Sequence, residues 1–481
     1  MTKEIGVTVK KEEDYSEWYT QVVLKSELVD YASAKGFMVL RPYGYAIWEN
    51  IQSILDKEFK RLGHQNAYFP SLIPESLLRK EAKHFSGFIP EVFWVNEAGN
   101  NKIGERLAAR PTSEAIAYYS YAKWVRSWRD LPLLLNCWNS VLRAEIKSTK
   151  PFIRTSEFLW QEGHTVHVSK EDAASEVMTI LRLYKDFIEE TLAIPVVVGS
   201  KSDREKFVGA LYTMSLESMM PDGKALQMGT SHHLGQNFSK AFGITFLGKD
   251  KQNHFAWQTS WGVSWRLIGA TIMVHGDSKG LVIPPKIAPI QIVVIPIVFK
   301  KENSAQVLER ASLFYKTLTD AGFKAVYDDR DGYTPGWKFH EWELKGVPIR
   351  LELGPRDISQ SQITLVSRDD GEKTVIGEEL LVDRVKSMLD EIQSRLKAKA
   401  KKMSEAYTFE ADSYESLKQI IKTKGGFVKS PWCGDQKCED KIKDETGADI
   451  RVLHVNSEEK SLTCVYCGQP SNQIAYFGKA Y

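Results

Sequence analysis

Cysteine is scarce in this sequence, five in 481 residues, and four of the five fall between Cys433 and Cys467 while Cys137 stands alone in an apolar stretch. That distribution argues against a disulfide framework. Long apolar runs are also missing. The longest, Ile290 to Phe299, contains Gln291 and Pro296 and is far short of the roughly 20 residues that cross a bilayer, so no membrane span is expected. The amino terminus, MTKEIGVTVKKEEDY, lacks the apolar stretch of a secretory signal, which points to a reducing cytoplasm. Neither charge dominates: 64 Lys and Arg face 62 Asp and Glu, and any contact with a polyanion must come from local basic patches. No repeat at solenoid or propeller periods is present.

What remains is an ordinary globular composition, 43% apolar and 26% charged, with no case for general disorder. At roughly 150 residues per domain the length predicts about three domains in series. Up to about Leu281 helices and strands mix. A helix from Tyr45 to Leu62 carries Ile47, Ile51, Ile54, Leu55 and Phe59 on one stripe and ends at Gly63. A second is expected after Thr112 or Ser113, either of which can cap it, and a third from Glu171 to Thr191 after Ser169. Strands Leu133 to Glu145 and Arg154 to His164, joined by a polar loop with Lys147, Lys150 and Pro151, read as a long hairpin. Met228 to Gln236 and Phe255 to Val263 form a less regular pair, and an antiparallel sheet with helices beside it fits the region.

Val282 to Pro289, with three prolines, reads as a stiff linker. Beyond it, strands Ile290 to Phe299, Phe323 to Tyr327 and Val347 to Leu353 alternate with helices after Ser304 and after Thr334–Pro335. That alternation predicts an α/β layer. A charged helix from Glu378 to about Met403 leads to the cysteine-bearing tail. The fold expected is thus an α+β domain with an antiparallel sheet over 1–283, an α/β domain over 284–400 and a small α/β domain over 401–481.

Alternation along the hairpin puts Arg143 and Glu145 on one face, and Trp160, Glu162 and His164 on one face of the second strand. A solvated sheet would display such charges innocently. Trp138, Leu142, Phe158 and Trp160 argue instead for a covered site, where ionised groups need partners or a ligand. Arg143, Arg154 and Arg266 have the paired donors that match phosphate oxygens, although each alone more often makes a surface ion pair. RPTSE, Arg110 to Glu114, taken alone is a capped helix start. In QMGTSHHLGQ, His232 and His233 are adjacent on a strand and face opposite ways, so a shared metal ion is a poor reading. Cys433 and Cys438, with four residues between them, and Cys464 and Cys467, with two, have the paired spacing of a closed tetrahedral zinc site of structural role; the competing reading is two buried or oxidised pairs.

Together these segments resemble the class II aminoacyl-tRNA synthetases, and among them the prolyl-tRNA synthetases of the archaeal and eukaryotic type, over nearly the whole chain. The helix from Tyr45 and the segment it leads into, as far as Pro70, are similar to the first class motif, Arg143-Ala144-Glu145 through FLWQEGHT to the second, and Gly262 to Arg266 to the third. RPTSEA and GTSHHLGQNF lie between them in the expected order. YTPGWKFHEWELKGVPIRLELGPRD resembles the family's anticodon-binding domain, and the four cysteines its carboxy-terminal zinc module.

The resemblance implies a ligase that joins L-proline to ATP with loss of pyrophosphate and passes the prolyl group to the terminal ribose of tRNA(Pro), with magnesium on the phosphates and structural zinc in the tail. It implies catalytic roles for Arg143, Glu145 and Arg266. The nucleotide site would add Phe152, Arg154, Thr155, Gln227 and Thr230. Proline would meet Thr112 and Glu114 through its ammonium, Arg143 through its carboxylate, and Trp160, Glu162, His164, Phe207, His232 and Ser260 as pocket walls. Phe339, Glu343, Arg350, Arg356 and Asp357 would read the anticodon. A homodimer burying the first motif is implied, as is a terminal Tyr481 that reaches the catalytic domain. Thr165 to Phe255, only 91 residues, leaves no room for the editing domain that bacterial relatives insert there. Two other readings compete: a non-catalytic paralogue, whose expected mark is loss of Arg143, Glu145 or Arg266, and a class II relative for threonine or another small amino acid, which commonly uses a catalytic zinc.

Overall fold

The computed structural model describes residues 6–84, 91–145, 148–298, 304–455 and 462–481. Lys147 of the expected hairpin loop and Phe299 at the end of an expected strand lie outside the described residues. Helix α1 (Pro42–Arg61) buries Ile47, Trp48, Ile51, Leu55 and Phe59 along one stripe. It begins three residues before the expected Tyr45 because Pro42, whose fixed φ suits a first helical turn, opens it. Helix α2 (Glu114–Trp124) follows RPTS. Helix α3 (Lys170–Asp186) is capped by the Ser169 hydroxyl, which accepts the Asp172 amide at 3.1 Å, and widens into a π turn over Phe187–Thr191. Helix α4 (Arg266–His275) is buried from Leu267 to His275.

These helices surround an antiparallel sheet made of β1 (Leu133–Leu142), β2 (Glu157–His167), β3 (Val197–Ser200), β4 (Tyr212–Met219), β5 (Ala225–Gly235) and β6 (Trp257–Ser264), in the spatial order β3-β4-β5-β6-β2-β1. The β1–β2 hairpin keeps one register over ten pairs, Leu133 opposite Val166 to Leu142 opposite Glu157. Leu226, Met228, Trp261 and Val263 join Phe59, Tyr184 and Leu267 in the main core. Alternation then leaves Gln227, Ser260 and Gly262 on the opposite face. Gly163 lets the sheet close over that core, since a Cβ there would lie 2.2 Å from the Trp261 ring.

The next unit is a five-stranded sheet of β7 (Ile292–Pro296), β8 (Ala325–Tyr327), β9 (Ile349–Leu353), β10 (Gln362–Ser367) and β11 (Lys373–Gly377), ordered β8-β7-β9-β10-β11. The first three are parallel and the last pair adds antiparallel edges. Helix α5 (Ser304–Asp320) packs Ala311, Phe314 and Leu318 against it, and α6 (Pro335–Leu344) is capped by Thr334. The proline-bearing segment before β7 is a packed strap rather than an exposed spacer. Its apolar residues Leu281, Ile283, Ile287 and Ala288 enter the main core, and Asn50 donates to the Ile287 carbonyl at 3.0 Å.

Helix α7 (Leu381–Ala406) runs continuously through position 400 into the tail. There β12 (Phe427–Trp432), β13 (Asp449–Val455) and β14 (Gln473–Gly478) are ordered β12-β14-β13, and β13 reaches β3 through the pair Leu453–Ser200. The tail thus extends the large antiparallel sheet instead of forming a sheet of its own, because β3 would otherwise be an open edge. Among the described residues no helix is long and apolar enough to cross a membrane.

Candidate active site

Trp160, Glu162 and His164 alternate along β2 onto one face, opposite Asn139, Cys137 and Leu135 of β1. Glu162 is buried, and its carboxylate is enclosed by donors. It accepts from the Ser113 amide at 3.1 Å, from the Ser113 hydroxyl, from Asn139 Nδ2 at 2.9 Å and from His164 Nε2 at 2.9 Å. Burial alone would raise this carboxyl, but the His164 charge and these donors hold it well below the usual range. Reciprocally, burial lowers His164 while Glu162 raises it further, so the pair is ionic. Ser113 occupies the cap position of α2, yet makes no side-chain capping bond because its hydroxyl serves Glu162. The start of α2 is thereby tied to the site.

Glu114 behaves oppositely: burial raises its pKa, and Glu162 adds to the rise. The Thr112 hydroxyl donates to it. Two carboxyls with opposite shifts sit side by side, one neutralised by His164 and the other lacking a full cation. An incoming ammonium beside Glu114 would favour its ionised form. His232 is held neutral, pushed down to about 3 by burial and the nearby His164 charge, and bridges Thr213 at 2.9 Å and Thr230 at 3.0 Å. The Phe207 ring lies 4.8 Å from it.

These groups line a cavity of about 260 Å³. Thr112, Glu114, Arg143, Trp160, Glu162, His164, Phe207, His232 and Ser260, the residues expected around proline, all border it, as does Thr230. The Ser260 hydroxyl is buried and has no hydrogen-bond partner among the described residues. A second cavity of about 290 Å³ adjoins it and is lined by Glu145, Phe152, Arg154, Thr155 and Tyr481. Arg143, Phe158, Gln227, Ser264 and Arg266 border both cavities. Thr230, expected with the nucleotide residues, lies in the first cavity rather than the second.

The strand alternation does not reach Glu145 as expected. β1 ends at Leu142, the Arg143 amide still bonds Ser156 O at 2.8 Å, and Glu145 stands in a turn. The Arg143 guanidinium lies 5.3 Å from the Phe158 ring and 5.6 Å from Trp160, within cation–π range of both at the join of the cavities. Arg266 donates to Gln227 O at 3.3 Å. Burial, followed by the neighbouring Arg143, lowers Arg266 to about 10, with Arg451 and Arg154 adding to the repulsion. A cavity that gathers unneutralised guanidinium groups is an anion site.

Several lining residues were not anticipated. Lys201, Glu205 and Thr213 border the first cavity, and Arg451 and Ala480 the second. Arg451 comes from ADIRVLHV, which reads only as a strand, so no local signal marks it. Tyr481 donates to Asp222 Oδ2 at 2.6 Å and its amide to Ala225 O at 3.2 Å, which seats it at the second cavity.

Away from the sheet, Cys433, Cys438, Cys464 and Cys467 bring their sulfurs within 4.8 Å of one another, two pairs at 3.7 Å. Four sulfurs at about 2.3 Å from a tetrahedral zinc would lie about 3.8 Å apart, so the cluster fits that ion. In the α/β unit, Arg350 stacks 4.3 Å from the Phe339 ring and bonds Glu352 at 2.9 Å, and Glu343 accepts from Lys279 at 3.1 Å. Arg356 is exposed. Asp357 is committed locally, accepting the Gly354 amide at 2.8 Å.

Family models match the same three regions: a tRNA synthetase class II core domain (G, H, P, S and T) over 93–275, an anticodon binding domain over 291–388 and the prolyl-tRNA synthetase C-terminal domain over 414–481. A curated proline--tRNA ligase of Cenarchaeum symbiosum is 55% identical over 477 residues, covering 99% of this chain and 100% of its own length. The chain belongs to the proline--tRNA ligase family. The proline--tRNA ligase of Natranaerobius thermophilus is 53% identical over 98% of this chain and 97% of its own. A proline--tRNA ligase 2 of Bacillus cereus is 49% identical over the full length of both. The family's class II core therefore coincides with the sheet that carries both cavities, and its C-terminal domain with the unit that extends that sheet.

Proposed function

We propose that the chain activates L-proline with ATP and transfers the prolyl group to the 3'-terminal ribose of tRNA(Pro). The observation that carries this reading is the junction of the two cavities at Arg143. One cavity has apolar walls and acidic acceptors suited to an amino acid, the other has a cationic lining suited to a nucleotide. A proline carboxylate oxygen attacks the α-phosphorus of ATP, the bond to pyrophosphate breaks, and prolyl-adenylate forms. The ribose hydroxyl then attacks the carbonyl carbon and AMP leaves. Neither step needs a protein nucleophile, only positioning and charge stabilisation.

Thr112 and Glu114 take the proline ammonium, and Glu162, fixed by His164 and Ser113, keeps the floor anionic. Trp160, Phe207 and His232 shape the ring pocket. Arg143 bridges the carboxylate and α-phosphate, Arg266 and Arg154 hold the remaining phosphates, and Glu145, Phe152, Thr155 and Gln227 seat the base and ribose. Magnesium enters with ATP as part of the substrate and offsets phosphate charge. Charging of tRNA(Pro) with proline tests the reading. Arg143→Lys, which loses the paired donors, should lower charging at least 100-fold; normal charging in that variant would sink it.

Finer features follow from the same reading. The segment from Thr165 to Phe255 is spent on the end of β2, on α3, β3, β4 and β5, and on the short elements Asn237–Phe242, Thr245–Leu247 and Asn253–Phe255, which supports an enzyme without an inserted editing domain. A pocket selecting proline by shape discriminates against a smaller side chain by only about 1 to 3 kcal/mol per methylene, so alanine and cysteine should be misactivated. Hydrolysis of alanyl-tRNA(Pro) by the purified protein would contradict the absence of editing. The domain limits 1–283, 284–400 and 401–481, zinc on the four thiolates, anticodon contacts from Phe339, Glu343 and Arg350, a cytoplasmic location and a homodimer built on α1 belong to the same proposal.

A further inference from the structure

The C-terminal unit does more than abut the catalytic sheet. Arg451 on β13 crosses to β4, where its Nε and Nη2 donate to Glu217 Oε2 at 3.0 and 2.7 Å. Lys201, just beyond β3, donates to Glu217 Oε1 at 2.7 Å and to the Arg451 carbonyl at 2.8 Å. Ser215 also donates to Oε1, at 2.9 Å. Glu217 is fully buried, and Lys201 and Arg451 nearly so. Glu217 thus bonds two cations in the interior at once, with Glu205 acting on Lys201 from farther away, and its shared charge leaves Arg451 open to a further anion.

The place where that anion belongs is set by register. Glu217 lies opposite Gln227 across β4 and β5, and the Gln227 carbonyl accepts from Arg266. Arg451 accordingly lines the second cavity together with Arg143, Arg154 and Arg266, four guanidinium groups against one acidic side chain, that of Glu145. The bonds to Glu217 use Nε and Nη2, and among the described residues Nη1 has no hydrogen-bond partner.

We propose that Arg451, supplied by the C-terminal unit and oriented by Glu217, is a nucleotide-binding residue that contacts the polyphosphate of ATP, so that the nucleotide site is incomplete until this unit has docked. The inference rests on the assignment of the second cavity to the nucleotide. Glu217 and Lys201 are positioning residues: Glu217 fixes the guanidinium plane and Lys201 ties the Arg451 backbone to β4. The geometry also couples the tail to activation, since displacing β13 by an ångström would withdraw a phosphate contact while leaving Glu114, Glu162 and His164 in place.

Proline-dependent ATP–pyrophosphate exchange on the full-length protein tests this. Arg451→Lys retains charge and bulk but loses the fork, and Arg451→Gln loses both charge and fork. The expected result is an ATP KM raised about tenfold or more in both variants, with proline KM within twofold of the parent. An unchanged ATP KM in Arg451→Lys and Arg451→Gln overturns the proposal, as does a parallel rise in both KM values. If Arg451→Gln does not fold, the Arg451→Lys result decides. Arg266→Lys is measured beside them: an ATP KM that does not respond to that change indicts the cavity assignment itself, whereas a response to Arg266→Lys without one to Arg451→Lys indicts only the role given to Arg451.

Discussion

Replacing Glu162 by Gln is the most informative single change in the amino-acid cavity, because it preserves shape and removes a charge that four donors and one histidine depend on. The carboxylate accepts from the Ser113 amide and hydroxyl, Asn139 Nδ2 and His164 Nε2, with Thr112 Oγ1 at 3.3 Å. A glutamine can keep the bonds at one oxygen only; its NH2 then faces the Asn139 amide donor, left unsatisfied at about 1 to 3 kcal/mol, while the Ser113 hydroxyl can turn to accept. Removing one partner from the buried pair with His164 is the larger effect, about 3 to 5 kcal/mol. If that loss falls on the bound state, kcat/KM for proline should drop by roughly 10² to 10³ at 1.4 kcal/mol per tenfold. Exchange kinetics with proline and ATP varied separately give the answer, with a thermal unfolding curve to show that the variant is folded. A drop of less than tenfold, or an equal rise in ATP KM, would refute the view that Glu162 anchors the amino-acid cavity alone.

His275, at the end of α4, is neutral and buried, lowered by burial to about 4, and its Nε2 bonds Leu192 O at 2.8 Å. Because the unfolded chain takes up a proton near pH 6.5 that the folded chain refuses until about 4, stability should fall as pH drops through that window, by about 3 kcal/mol from this residue; His275→Asn should flatten the acid limb of a Tm-versus-pH series, and an unchanged slope would contradict the assignment. Cys464→Ser should lower zinc content and the unfolding temperature together; retention of a full zinc equivalent would argue against the four-sulfur site. Phe339→Ala should raise the tRNA KM roughly 10-fold, as loss of one stacked base at about 1 to 3 kcal/mol implies, while leaving exchange without tRNA unaltered. If exchange falls as well, Phe339 is serving the fold.

The sequence carried those parts of this architecture that local periodicity encodes. The period-two pattern of FLWQEGHT placed Trp160, Glu162 and His164 on one face, and the hydrophobic stripe of α1 appeared as expected apart from its proline start. Ser113 looked like a cap, and became a ligand of Glu162 because a buried carboxylate 49 positions away outweighs a helix terminus. No local signal could show that. Arg451, Lys201 and Glu217 were illegible for the same reason: their meaning lies in β13 reaching β3, a pairing across some 250 residues. The strap from Leu281 to Ala288 reads locally as a spacer because of its prolines, whereas Leu281, Ile283, Ile287 and Ala288 meet their apolar partners only in the distant main core. The family models and relatives agree with the class motifs read along the chain, while the residue roles stand on the geometry of the two cavities.

The acid-floored cavity selects proline for attack on ATP. Pyrophosphate exchange into ATP, measured with the purified protein and each of the twenty amino acids separately, tests it most directly. Proline should stimulate exchange above all others, with alanine and cysteine following weakly. Stimulation by another amino acid at or above the proline level would contradict the account.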